Sequence, residues 1–321
     1  MKFLFRILPV LISFFLSSCY YITNINEEPP PTFTDVIGIK YSEVHRRFDN
    51  GLSFHESGFQ LQPEWEVYFS AEDSIRIYSP ERQQYMPYRI FHSHKALFHF
   101  ARDWFRVKHV SKDSLILQVM ELESRVVKEE LSDVYMTLYS HDYISKVLKT
   151  TAEKLREPSR EDSLFIKYRA IQANSDPDSA FAARNPVVLT SRSPILQVEK
   201  VKPTADPYLG YISRSEEYLY PEYRIRIDKA YQDFQYSFQV IVDHKGKMTF
   251  KDFLVGVMPE FRETKTRVVK GIIDVYLKNL VSVNPGNTLG YPHSSVINLN
   301  VIGRKLTPGH PQAPLMNDLK Q

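Results

Sequence analysis

A single cysteine in 321 residues, at position 19, is the feature that most restricts this chain. One thiol closes no disulfide within the chain and builds no cysteine-ligated zinc site, so a fold of this length must stand on packing. Ahead of it lie Lys2 and Arg6, then an apolar run from Ile7 to Leu16 broken by Pro9 and Ser13. Positive charge followed by a short hydrophobic stretch is a secretory signal pattern, and residues 1–18 are expected to be removed. Ten residues of helix cover about 15 Å, half of a bilayer's hydrocarbon core, so a permanent span is not expected.

The run ends in Leu16, Ser17, Ser18 and Cys19, which resembles the bacterial lipoprotein signal, where a Leu and two small residues precede the Cys that receives lipid. The resemblance implies that Cys19 is acylated and that the mature chain carries no free thiol, hence no thiolate nucleophile. Each buried acyl methylene contributes about 0.8 kcal/mol, so more than one chain gives a lasting anchor. Tyr20, not Asp, follows the Cys and no acidic run comes next, so the expected location is the outer membrane of a Gram-negative envelope, periplasmic face. With 41 Lys and Arg against 38 Asp and Glu the formal charge is +3, which gives no global field for nucleic acid. The membrane is reached through lipid on Cys19, and no nucleic-acid partner is expected.

Residues 19–35 are polar and proline-rich, with Pro29, Pro30 and Pro31 together, and read as the lipidated Cys and a semi-extended tether outside any core. Twenty Tyr and twenty Phe against eleven Gly suit pleated, half-buried strands. Within 36–175 the runs Trp65 to Phe69, Ile75 to Tyr78, Leu97 to Phe100 and Leu115 to Val119 predict an antiparallel β domain, a meander or a lipocalin-like barrel. A motif with Ser70, Asp73 and Ser74 recurs as Ser111, Asp113 and Ser114 and again as Ser159, Asp162 and Ser163; each copy is expected to be a turn entering a strand. Apolar residues at 144, 147, 148, 152 and 155 predict a flanking helix, and the turn formers of 174–186 mark a boundary near 175. Residues 176–227 read as linker and extended segments, 228–305 as a second domain and 306–321 as a mobile tail. The fold class is thus α+β, mostly β.

In the second domain Tyr236, Phe238, Val240 and Val242 alternate along a strand, and Asp243 to Gly246 supply a tight turn. Met248 to Phe253 forms the returning strand, Val268 to Leu280 one face of a helix, and Val296 to Ile302 a last strand. The order β-β-α-β fits a small sheet under one helix. These residues resemble the C-terminal domain of the TonB family over about a quarter of the chain. Tyr220 and Pro221 match its Tyr-Pro opening, Asp243 and Gly246 its first turn, and Pro285, Gly290 and Pro292 its Pro-x4-Gly-x-Pro spacing. Leu280 to Val283 stands where the family carries an aromatic residue. Such a domain can take an extended peptide as an added strand, and the edge expected to bind an envelope protein, such a peptide or a second copy in a homodimer is Val296, Ile297, Asn298, Leu299, Asn300, Val301 and Ile302.

Other chemistry is thinly signalled. His92, His94 and His99 fall close enough to begin a metal site, yet nothing in the sequence fixes the three or four ligands zinc requires, and no metal or other cofactor is expected. No Gly-x-Ser-x-Gly elbow, Walker loop or dinucleotide fingerprint occurs, so no catalytic residue is expected. Glu121 and Glu123 share a strand face and read as a solvated rim. The expected function is that of a non-catalytic envelope scaffold. A lipocalin-like carrier of an apolar ligand and a metallohydrolase built on His92, His94 and a distant carboxylate are the alternatives.

Overall fold

The computed structural model describes residues 29–124, 126–203 and 215–305. The signal, Cys19, the first part of the tether and the tail 306–321 lie outside the described residues. The chain is mostly β and divides into two compact units, one holding the residues up to Gly51 with Gln62–Glu157, the other Leu52–Leu61 and the residues from Pro158 onward.

The first unit is one antiparallel sheet. Its strands are β1 (Lys40–Phe48), β2 (Glu66–Ala71), β3 (Ser74–Ser79), β4 (Gln84–Arg89), β5 (Phe91–His92), β6 (Leu97–Phe100), β7 (Asp103–Val110), β8 (Ser114–Glu123), β9 (Val126–Lys128) and β10 (Val134–Ser140). They pair in the order β4-β3-β2-β1-β10-β8-β7-β6-β5, with β9 on β8. The two outermost strands are separated by one residue, the buried Ile90, whose N–H donates to the Asp73 carbonyl at 2.7 Å. One residue spans at most about 3.6 Å, so the ends of the sheet must meet and it curls into a nearly closed barrel.

Alternate residues fill the interior: Val67 and Phe69, Ile75 and Ile77, Phe105 and Val107, Leu115 and Leu117, Met136 and Leu138 are all buried in one cluster. Phe33 enters the same cluster ahead of β1. It stacks on Phe69 at 4.3 Å between centroids and meets Phe98 edge-on at 5.3 Å. The tether expected over 19–35 therefore stops short: Phe33 is core, because an apolar ring beside three prolines still gains by burial in an open barrel end.

The predicted helix over 143–155 is two short pieces, a π-helical turn at Tyr143–Val147 and α1 (Ala152–Leu155), with Ile144 buried and Val147 and Leu148 exposed. Two copies of the Ser/Asp motif do turn into strands β3 and β8. The third does not. Ser159 caps α2 (Arg160–Ser175): its hydroxyl accepts from the Asp162 N–H and the Asp162 carboxylate accepts from the Ser159 N–H, a capping box. Ser-x-x-Asp closes a helix N-terminus as readily as it makes a turn.

Through α2 the boundary moves from 175 to 157. Ile166 and Ala173 pack with Phe54 from the excursion Leu52–Leu61 and with Phe181, so helix and excursion both belong to the second unit. Residues 176–227, expected as linker and extended segments, carry β11 (Val188–Ser191), β12 (Leu196–Lys200) and the start of β13 (Glu222–Ala230). After β13 come β14 (Phe234–Val242), β15 (Met248–Phe253), α3 (Pro259–Ile272, prolonged by a π turn to Leu277 and by Lys278–Leu280), β16 (Val281–Asn284), β17 (Asn287–Thr288), β18 (Tyr291–Pro292) and β19 (Ser295–Lys305).

The main sheet has the order β12-β13-β19-β14-β15, in which β13 and β19 are parallel and the other pairs antiparallel. Val269, Ile272, Ile273 and Leu277 cover one face. β19 is thus an interior strand, and the edge expected at Val296 to Ile302 does not exist. Ile297 pairs with Val240 on one side while Val301 pairs with Ile225 on the other. Ile297, Leu299 and Val301 are fully buried, which places this strand at the centre of the core, and residues 222–230 supply the second neighbour that the linker reading withheld.

Candidate functional site

With β19 enclosed, the main sheet ends at β12 and β15. A strand edge presents unpaired backbone N–H and C=O groups, and proteins blunt such edges with charge. β12 is blunted by Glu199 and Lys200, both exposed. β15 differs. It emerges from a turn built by Asp243, whose carboxylate accepts from the Lys245 and Lys247 N–H groups at 2.8 and 2.9 Å, with Gly246 in the left-handed region at φ 82°. Phe250 and Phe253 pack inward, and Lys251 sits at a bulge opposite Gln239 and Val240. Beyond the strand the chain exposes large apolar side chains: Val255 is 60% exposed, Met258 64% and Phe261 54%. Arg262 donates to Asp252 at 2.6 Å and ties this apolar shelf to the strand. A second exposed stripe lies on α2, where Leu164, Tyr168 and Ile171 follow helical spacing.

The sheet face away from α3 is polar and bonds to itself. Gln239 donates to Asn298 at 3.1 Å, Asn300 to Glu222 at 2.6 Å, and Arg226 pairs with Asp228 at 3.1 Å. Asn298 and Asn300, expected at a binding edge, are therefore occupied with their neighbours. Val296 and Ile302 are half-buried on the same face.

The TonB-like motif residues have structural positions. Tyr220 is exposed; Pro221 is buried, and its carbonyl accepts from the Asn298 N–H at 2.9 Å. Pro285 follows β16. Gly290 and Leu289, both at positive φ, form the two-residue turn between β17 and β18, the turn type whose twist matches a hairpin, and Pro292 sits on β18 opposite Asn287.

His92 on β5, His94 in the turn that follows and His99 on β6 are not grouped as a ligand set. The His92 ring bonds the Lys95 carbonyl at 2.8 Å, His94 bonds the Ser93 hydroxyl at 3.0 Å, and His99 packs against Trp104 at 5.1 Å. Among the described residues no three His, Cys, Asp or Glu side chains are grouped to hold a metal ion. Glu121 and Glu123 are exposed, and Glu123 pairs with Lys128 at 3.4 Å.

Of three buried polar nodes, Asp162 alone is marked in the sequence, by the Ser/Asp motif, and there as a turn. Glu43, fully buried on β1, accepts from Arg46 at 2.7 Å and from the Glu64 and Trp65 N–H groups at 2.9 and 3.0 Å. Asp162 accepts from the Ser53 N–H at 2.7 Å besides completing its capping box. His293 is fully buried, stacked on Phe181 at 3.7 Å, with Nε2 3.0 Å from the Thr288 hydroxyl and Nδ1 3.1 Å from the Ser294 carbonyl. A carbonyl only accepts, so Nδ1 carries the proton and Nε2 accepts from Thr288, which itself accepts from the Arg184 N–H at 3.0 Å. Burial pushes the imidazole down to about 4. Each node is satisfied by its own surroundings and holds structure together. No family model and no curated protein matches the chain.

Proposed function

We propose that this is a lipid-anchored, non-catalytic protein of the Gram-negative envelope, held at the outer membrane through Cys19, that binds another envelope protein along the β15 edge of a TonB-like C-terminal domain. The anchor rests on Leu16 to Cys19. The likeness to the TonB domain rests on the succession β14, β15, α3 and β19 together with the Pro285, Gly290 and Pro292 spacing. The observation that carries the binding role is β15 itself, a strand with one neighbour, followed at once by exposed Val255, Met258 and Phe261. The matching partner is an extended segment that pairs its backbone with the strand and sets apolar side chains on the shelf. A lipocalin-like carrier draws less support, since aromatic and branched side chains fill the barrel.

Exchanging Val255 and Met258 together for Asp tests this reading. Both are exposed, so folding stability should change by no more than about 0.5 kcal/mol per site, while the yield of partner adduct in cell crosslinking falls about tenfold. Adduct unchanged in a folded double variant would contradict it.

A further inference from the structure

The first unit carries a basic groove that the proposed role leaves unused. Its volume is about 920 Å³, within the range of ligand sites, and it lies between the stretch Pro29 to Val36, the turn at Lys95 and the end of β7 with its following turn. Val36 and Val107 give it an apolar floor.

Three lysines line it: Lys95 from the turn before β6, and Lys108 and Lys112 from the end of β7 and the turn that follows. A β-bulge lengthens the exposed part of the β7 wall. Regular alternation on β7 buries Phe105 and Val107 and would turn residue 109 inward; the bulge between Val107 and His109 leaves both Lys108 and His109 exposed and returns Val110 to the core. None of the three lysines forms an ion pair among the described residues. Glu129, the acid that feels Lys95 and Lys108, is bonded to Arg106, which holds its carboxyl below the ordinary range. Asp35 is the one carboxylate in the lining, against three ammonium groups.

We propose that this groove binds the phosphate of anionic phospholipid head groups. Several ammonium groups lining one groove suit an oxyanion with several oxygens. The length of the tether puts such head groups within reach: Cys19 lies ten residues before Pro29, which lines the groove, and ten residues span at most about 36 Å. The inference rests on the lipid anchor, and the groove then orients the barrel on the surface from which it hangs.

The test uses the whole lipidated protein in vesicles of phosphatidylcholine alone or with one third phosphatidylglycerol, treated with an amine-acetylating reagent and read by mass spectrometry. Acetylation of Lys95, Lys108 and Lys112 should slow at least fivefold with phosphatidylglycerol, while exposed Lys245, Lys247 and Lys270 of the other unit react as before. Equal slowing at all six lysines, no slowing, or the same protection in phosphatidylcholine vesicles from inorganic phosphate or an acidic peptide would overturn the proposal. The same spectra report acylation of Cys19, so failure of the anchor is distinguished from failure of the groove.

Discussion

A histidine lying flat on a phenylalanine and bonded at both ring nitrogens has no room to take a second proton cheaply. His293 is in that position, between Thr288, Ser294 and Phe181. Its proton affinity falls from the ordinary 6.5 to about 4, because burial penalises the charged ring. The unfolded chain therefore binds this proton first as pH drops. The contribution of His293 to stability is complete above about pH 6.5 and declines as pH falls toward 4, by a total on the order of 3 kcal/mol. Urea unfolding of the second unit at pH 7 and pH 4.5 should show a lower midpoint at the acid pH. His293→Gln should flatten that difference; an unchanged pH slope in the variant would locate the acid sensitivity elsewhere.

At the scale of the element, α2 joins its unit through one carboxylate. Asp162 satisfies the Ser53 and Ser159 N–H groups, and Ser159 returns the bond. Asp162→Ala strands a buried N–H and opens the helix N-terminus, at a cost of about 2–4 kcal/mol, whereas Ser159→Ala should cost about 1 kcal/mol. Denaturant titration of both variants checks the order; equal losses would mean that the bond to Ser53 contributes nothing. This helix also marks what the sequence left hidden. Its buried stripe, Ile166, Ala170 and Ala173, is mixed with exposed Leu164, Tyr168 and Ile171, so no single apolar face stands out. Strands β2, β3, β6, β8, β14 and β15 were legible, because alternation is a property of their own residues. The place of β19 was not. Whether a strand is an edge depends on what pairs with it, and its second neighbour, β13, lies about seventy-five residues earlier, across the boundary expected between the extended segments of 176–227 and the second domain. The same reasoning applies to the proposed binding surface: the two-strand turn was visible at Asp243, but the free side of β15 follows from topology alone.

At the scale of the whole molecule, the proposed anchored, binding role draws on a barrel filled by its own side chains and on a second unit whose main sheet ends at β12 and β15. The barrel's inward residues and Phe33 leave its interior to packing, so the proposed binding rests on surfaces. The near balance of charge, +3 for the full chain, provides no general electrostatic grip, so in the proposed role the partner is chosen by strand pairing and by the apolar shelf beyond it. The most direct measurement is photo-crosslinking in intact cells from a reactive side chain placed at Lys251 on β15 and, separately, at Glu199 on β12. The account predicts a discrete adduct with an envelope protein from position 251 and none from 199. Adducts of equal yield from both edges, or none from 251, would contradict it.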